Sequence, residues 1–527
     1  MIPDPDIIDV LIAGAGPSGL MMACLLAAQH INFRIIDRKK SFTDYSGALL
    51  IHSRTMEIFD QLGIASNLIE KATVLNGINF IFENKKPLLL DLRDSGNSLT
   101  KFPQILMLKQ SETESILNDF LNSHGYHVER GIEFDTVNTG TDFNTSHIRL
   151  QNDHAEIIRS KFLVAADGGH SKIRKQLNIP FKGRSYPVSL FTMDSKLISP
   201  WRQNELYFLF RKEITIGFFP LQNNDWRIDG SFQKGFRDSN AIVFNNVQQK
   251  LAEIKIHVPS PFWFSNYNLN QRYAECFEKE NCYLIGDAAH VHSPFGAQGM
   301  NTGIQDAYNL AWKLAFKINA NSNPVLLKTY EEERKSNSKK LIRWTLRPFL
   351  LATSKNIFYR MLRIYFLPPV FKILFYIFRK SEKFRIRIFK FLSEIEINYK
   401  TSSLSRNASF GKFNGKATKP GMRLPHIIYN EKGQEIFIQE KVRYKSFLLL
   451  IFSKDESAEK ILNVVSKYRN FINSEIIYYS PATQKLFDFF GIKDNGFYLI
   501  RPDLYIACRS NKLNITDFEN YISRFFI

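Results

Sequence analysis

Cysteine is scarce and scattered. The 527 residues hold four, Cys24, Cys276, Cys282 and Cys508, with no CxxC pair and no metal-like cluster. That excludes a disulfide framework and gives no reason to expect a metal site. Acid is short too: 51 Asp and Glu against 70 Lys and Arg leave a formal net charge of +19. There are no internal repeats and no low-complexity tracts, so neither a solenoid nor a long disordered arm is expected. Residues 1–6 are acidic and lack a cleavage region, so no signal peptide is read and a cytoplasmic location is expected. The longest charge-free run in the most basic region, residues 364–371, is far short of the ~20 apolar residues of a membrane span.

What is present is an ordinary globular composition, 44% hydrophobic and 23% charged, in a chain long enough for about three or four domains. Phenylalanine is abundant, with 46 copies, enough to line large apolar cavities. The basic excess is concentrated: residues 343–390 carry twelve Lys and Arg and one acid, Glu382. These cations are interleaved with Leu, Ile, Phe and Tyr, which suits an amphipathic helix pair better than a groove tracking phosphates. Nucleic acid is therefore not expected as a partner. Two readings of 343–390 stand: helices packed on the protein with solvated charges, or a peripheral contact at the inner face of a membrane.

The chain opens as strand, turn, helix, strand: Ile7–Ala13 is apolar, residues 14–19 are glycine-rich, residues 20–29 are rich in Ala and Leu, and Phe33–Asp37 is a second strand. From about Tyr186 to Asn281 the pattern changes to short alternating segments, expected to be antiparallel strands inserted between α/β elements. A long helical stretch follows to about Lys400, expected to break at Pro324, Pro348 and Pro368–Pro369. Residues 405–416 read as a linker, and strand–helix alternation returns in the last ~110 residues.

Gly14-Ala15-Gly16-Pro17-Ser18-Gly19 has the GxGxxG spacing. Gly14 permits the tight turn, Gly16 lets the backbone approach a pyrophosphate, and Gly19 allows the helix to pack on the strand. The helix beginning near Pro17 presents free N–H groups to the phosphates. Asp37, 18 residues after Gly19, is placed to bond a ribose hydroxyl, and Arg38 follows it. This turn alone does not separate FAD from NAD.

Two distant segments narrow the choice. Asp167-Gly168, at the end of an apolar run, is followed by Ser171 and Arg174, which offers a carboxylate, a hydroxyl and a cation near one point. Gly286-Asp287 ends a second short apolar strand, and Asp287 could accept from a ribityl hydroxyl. After it, residues 294–299 (Pro-Phe-Gly-Ala-Gln-Gly) lead into a helix whose first amides, at Gly299, Met300 and Asn301, can face a reduced flavin that gathers negative charge.

The three segments, in this order and roughly 120–150 residues apart, resemble the class A flavoprotein monooxygenases of the para-hydroxybenzoate/phenol hydroxylase type. The resemblance spans about residues 6–320. It extends through the Arg54-Thr55-Met56-Glu57 helix start, through Gln110 with Glu114, and through residues 306–314. Gly421–Pro425 and Tyr498–Asp503 are similar to the flanks of the thioredoxin-like domain in the polyketide hydroxylase and rifampicin monooxygenase subset. One departure is Gly47, where many relatives have an Arg that contacts cofactor phosphate.

The resemblance implies an α/β protein. It would have a Rossmann-type FAD-binding domain (1–75, 101–180 and 276–342), an inserted antiparallel β-sheet substrate domain (76–100 and 181–275), a basic helical segment (343–404) and a thioredoxin-like domain without CxxC (405–527). It implies FAD held by Gly14, Gly16, Gly19, Asp37, Arg38, Arg54, Gln110, Asp167, Asp287, Gly299, Met300 and Asn301, with NADPH or NADH as transient reductant. Pro294 and Gly296 would stand at the flavin C4a edge, and Phe218, Phe219, Pro220 and Trp226 would line the substrate. No acid or base is assigned; His52, His290 and His292 read first as structural. The implied reaction hydroxylates an aromatic substrate with O2 through a flavin C4a-hydroperoxide. An antibiotic-inactivating enzyme of the same chemistry and a non-catalytic membrane-associated flavoprotein are the alternatives, and a homodimer is left open.

Overall fold

The computed structural model describes residues 6–526 apart from 43–46, 84, 94, 152, 233–242, 254–255, 294, 321, 409–412, 414–416, 432–433 and 457. The strand Ile7–Ala13 lies inside a parallel sheet, between Phe33–Asp37 and Ala155–Ala165, and Cys282–Leu284 extends the sheet beyond the latter. The register brings the strand ends level. Ala13 pairs with both Ala165 and Ile36, and Ala165 pairs with Leu284. Four strands far apart in sequence therefore end side by side, which is where open α/β sheets bind ligands.

The helix Pro17–Ala27 starts with proline in its first turn and continues in Ala, Leu and Met, all good helix formers. Nine of its eleven residues are buried, because it lies between this sheet and the helix Gly299–Asn319. A helix apolar on every side is what such a layer requires.

The second sheet has eight strands and includes the long antiparallel pair Phe181–Lys196 and Trp263–Ala274, then Asp225–Phe232, Ile214–Pro220 and Glu205–Phe210. Gly77–Phe82 joins Glu205–Phe210 in parallel. One face of this sheet buries Phe191, Met193, Tyr207, Phe218, Trp226 and Ile228 beneath the helix Phe244–Ala252. The third sheet is built on the wholly buried strand Phe447–Ser453, parallel to Ile472–Tyr478 and antiparallel to Gly496–Ile500, which in turn pairs with Ile506–Ser510.

Two expected helix breaks do not occur. Val325–Thr353 runs on through Pro348. A proline removes one rung of the ladder, and here the next residue, Phe349, packs against Val188, Leu190 and Leu269. Pro368 and Pro369 fall in the first turn of Leu367–Lys380, where a missing N–H is tolerated, and that helix continues from the π-turn Leu362–Phe366.

Candidate active site

Gly14 ends the first strand with φ of +107°, and a Cβ there would come within 2.3 Å of the Ala166 carbonyl oxygen. The DG segment thus lies directly against the glycine turn. The amide of Ala15 donates to Asp37 Oδ2 at 2.6 Å and that of Lys39 to Oδ1 at 2.7 Å, so Asp37 fastens the turn to the second strand. Arg38 is exposed beside it. Around a Cβ built on Gly16 there is open space, the close approach a pyrophosphate needs. Gly19, by contrast, has the Gly14 carbonyl where its Cβ would be.

Asp167 spends one oxygen on the amide of Ile173, at 3.3 Å, and its Oδ1 is buried with no partner. Burial raises its carboxyl above the usual range, against hydrogen bonds that lower it. Ser171 caps the short helix Lys172–Gln176. Arg174 crosses to the other motif, donating to the carbonyls of Gly169 and Ala288, both at 2.9 Å, with its guanidinium 3.7 Å from the Phe181 ring centroid.

Gly286 adopts φ of +58°, and its neighbourhood leaves no space for a side chain: Ser18 Oγ would lie 2.5 Å from its Cβ and 2.2 Å from one on Gly303. Three elements therefore meet at contact distance, which sets Asp287 beside the glycine-turn helix. The carboxylate of Asp287 has no hydrogen-bond partner among the described residues. It is open to solvent yet surrounded by protein, so desolvation raises it, opposed by the charge of His290. An acceptor held at the floor of a cleft suits a polyhydroxyl ligand. The loop is braced from behind: Asp306 receives His290 Nε2 and Arg334 Nε, each at 2.6 Å, and the Gly286 amide at 3.0 Å.

The loop after Asp287 reaches the helix Gly299–Asn319, whose first amides have no partner within the helix. Gly296 is left-handed, with φ of +77°. Its carbonyl accepts from His52 Nε2 at 3.0 Å, which fixes the tautomer, because a carbonyl cannot donate. Burial pushes His52 down to about 4 and His292 down to about 3, so both rings are neutral at pH 7. The side chain of Asn301 is a brace: Nδ2 donates to Leu50 O and Ala297 O, and Oδ1 accepts the His52 amide. Gln110 bonds the Ala48 amide at 3.0 Å and Glu114 at 2.8 Å, and its Oε1 would lie 2.9 Å from a Cβ at Gly47. A side chain at Gly47 would have to displace it. Pro294 lies outside the described residues.

Four expected site residues are committed to other contacts. Arg54 is buried with Nη1 on Glu57 and Nη2 on the Asp503 carbonyl, at 2.9 and 2.8 Å, beneath the rings of Tyr308 and Tyr505. It ties the helix Ser53–Gln61 to the unit built on the third sheet, with both terminal nitrogens spent on protein groups. Phe218 and Trp226 are fully buried in the far-side core of the second sheet, as period-two alternation requires. Pro220, paired with Trp226, shares their side. Phe219 is on the opposite face and packs, with Ala297, against Leu49, Leu50 and Met107.

On the Phe219 face, the register aligns polar residues that sequence reasoning did not single out. Phe219 pairs with Arg227, Arg227 with Asp194, and Asp229 with Thr192. Arg227 Nε and Nη2 meet Asp194 at 2.5 and 3.0 Å, and Trp263 Nε1 reaches the same carboxylate at 3.0 Å. Thr192 donates to Asp229, whose carboxyl is raised by burial and lowered by Arg227. Burial also raises the Tyr267 hydroxyl. The signal was there in Asp225-Trp226-Arg227-Ile228-Asp229, where charge alternates with large apolar residues.

Residues 7–345 match the family described as FAD binding domain. The chain belongs to the FAD-dependent aromatic monooxygenase family. It is 31% identical over 343 residues to pentachlorophenol 4-monooxygenase of Sphingobium chlorophenolicum, covering 64% of this chain and 63%, just under two thirds, of that relative. It is 27% identical over 536 residues to 6-methylpretetramide 4-monooxygenase of Streptomyces rimosus, covering 98% and 93%. The crystal structure of the flavin-dependent monooxygenase PieE in complex with FAD and substrate shares the fold, with a TM-score of 0.82 over 99% of both chains at 20% identity.

Proposed function

We infer that this protein hydroxylates an aromatic substrate bearing hydroxyl or keto groups (phenolic, polyketide or quinone-like), consuming one NAD(P)H and one O2 and releasing water. The observation that supports this reading is the meeting of two surfaces in one apolar cluster. One is the Gly296–Asn301 loop at the helix start. The other is the Phe219 face of the second sheet, apolar at Phe219 and Phe208 and polar at Arg227, Asp229 and Tyr267.

FAD, when bound, supplies hydride acceptance and oxygen activation. Gly14, Gly16, Gly19 and the amides of the helix Pro17–Ala27 would hold its pyrophosphate, and Asp287 its ribityl chain. The amides of Gly299, Met300 and Asn301 would stabilise negative charge at the pyrimidine end. Asp37 sets the turn at the adenosine end. Asp167 offers its free oxygen beside the turn, and Arg38 is available to phosphate. Gln110 and neutral His52 keep the loop in place without carrying charge into the site. Gly296 leaves room at the reacting edge, and the same role is proposed for Pro294. Phe219 and its polar neighbours would orient the ring and exclude water.

The unit 405–527 we read as thioredoxin-like in strand order but without redox function: Cys508 is buried, and burial pushes its thiol up to about 12. The reading also includes peripheral membrane contact through residues 343–390. NADPH and NADH oxidation with oxygen uptake, across phenols, quinones and polycyclic antibiotics, tests the reaction. Label from 18O2 is expected in the product of the right substrate. Oxidation that yields only hydrogen peroxide with every compound would overturn it, and a turnover confined to rifamycins or tetracyclines would make it the antibiotic-inactivating variant.

A further inference from the structure

The surface of the basic helical segment carries more apolar area than a solvated face requires. In the stretch Ile357–Lys380 the buried or half-buried positions include Ile364, Pro368, Phe371, Phe375 and Phe378, spaced three and four apart, with Arg363 buried beside them. Phe371 and Phe375 pack on Phe80 of the second sheet, with ring centroids 4.9 and 5.6 Å away. The opposite side is equally apolar. Phe358 is 68% exposed, Phe366 61%, Ile373 61% and Tyr376 65%, and Trp344 on the preceding helix is 68% exposed. Large exposed apolar patches on a folded chain mark interaction sites.

The rim of this face is cationic. Lys372, Arg379, Lys380, Lys383 and Arg387 are exposed around it, in a segment whose one acid between 343 and 390 is Glu382. Aromatic and aliphatic side chains ringed by Lys and Arg match the interface of an anionic bilayer, where rings sit among headgroups and long cationic stems reach phosphate. The same charge argues against a second copy of this chain, which would bring an equally positive surface to meet it.

The stretch is 24 residues long and contains an 18-residue window of mean hydropathy 1.6, so by length and composition alone it passes as a membrane span. Its contacts favour lying flat. One side is docked on Phe80 and Phe82, and Arg363 is tied to the carbonyls of Leu351 and Ala352, both at 2.9 Å.

We propose that the outer face of Ile357–Lys380, with Trp344 and the cations around it, docks in the plane of an anionic membrane surface. The next helix, Glu382–Leu392, ends on the proposed substrate wall, since Leu392 packs on the cluster shared by Phe219 and Ala297. A lipophilic aromatic dissolved in the bilayer would therefore be delivered beside the cofactor loop. This last consequence rests on the monooxygenase reading; the docking does not.

The test is flotation of the FAD-loaded protein with vesicles of phosphatidylcholine alone or with 40% phosphatidylglycerol, which needs no turnover. Binding to the anionic vesicles at low salt is expected, weakened by salt and absent with phosphatidylcholine. F366S/Y376S should lose at least tenfold in partitioning, and K380E/K383E about fivefold per charge removed. Both variants should keep bound FAD and aqueous turnover, because these side chains are on the surface. Absence of flotation at low salt, flotation equal in both variants, or a solution dimer that F366S/Y376S converts to monomer would each overturn the proposal.

Discussion

Glu333 receives both terminal nitrogens of Arg501, at 2.6 and 2.9 Å, across 168 residues of sequence and with neither side chain exposed. Asp503 takes Nε and Nη2 of the same guanidinium, while Lys313, Asn309 and the Ser402 hydroxyl also donate to Glu333. Burial alone would raise Glu333; the charges of Arg501 and Lys313 outweigh it and hold the carboxyl well below the usual range. Such a network adds little over a well-packed apolar core, yet breaking it strands charge. R501M should therefore cost about 3–5 kcal/mol. The expected readout is a lower melting temperature and cleavage of the 405–527 unit by protease doses that leave the parent intact. An unchanged melt would show that the interface is held by its apolar contacts instead.

Asp287 gives the sharpest test of the cofactor site. A carboxylate raised by desolvation, open to solvent on one side and without a hydrogen-bond partner among the described residues, is placed to accept from a ligand. D287N keeps the shape and loses the charge-assisted acceptor, a difference of about 1.5–3 kcal/mol. FAD titrated into apoprotein, followed by flavin fluorescence, should bind about 10- to 100-fold more weakly, with the melting point of the apoprotein no lower than the parent's. Equal affinity would remove Asp287 from the proposed FAD contacts.

Phe218 and Phe219 are neighbours in sequence on opposite faces of one strand, and their substitutions should separate. F218A opens a hole in a packed core and should cost about 3–5 kcal/mol in stability. F219A should leave the melt closer to the parent and raise KM for the aromatic substrate. If steady-state kinetics show no KM change for F219A, the substrate wall is elsewhere.

The motifs legible in the sequence were those fixed by backbone geometry. Gly14 and Gly286 have positive φ with no space for a Cβ, and a short apolar strand before each acid places Asp167 and Asp287 at one sheet edge. Such constraints are local, so a single chain displays them. The proposed substrate wall was not legible because Phe218 and Phe219 are both apolar, and alternation cannot choose a face when both faces accept phenylalanine. The contacts of Arg54 were hidden for another reason: its partner Asp503 is 449 residues away, a distance at which no local pattern operates. The helix through Pro348 belongs with these, since tertiary packing of Phe349 overrode a local breaker.

Two buried histidines give this protein an acid-sensitive component of stability. His52 and His292 are held neutral by burial, down to about 4 and about 3, while in the unfolded chain both titrate near 6.5. Between those limits the unfolded state binds protons that the folded state refuses, so these two groups remove stability as pH drops below about 6.5, whereas Glu394, raised by burial to about 8, adds stability over the same range. For His52 the loss by pH 4 amounts to about 3 kcal/mol, and His292 adds a loss of similar size. Asp306 and Glu333, whose carboxyls are depressed, contribute the same sign at still lower pH. The histidine share is therefore read by comparing melting temperatures from pH 7.5 to 4.5 in proteins that differ only at His52. H52Q can keep the hydrogen bond to the Gly296 carbonyl through its side-chain amide but cannot titrate, so its decline should be shallower than the parent's, with FAD still bound. A parallel decline in both proteins would mean that His52 is not the group excluding the proton.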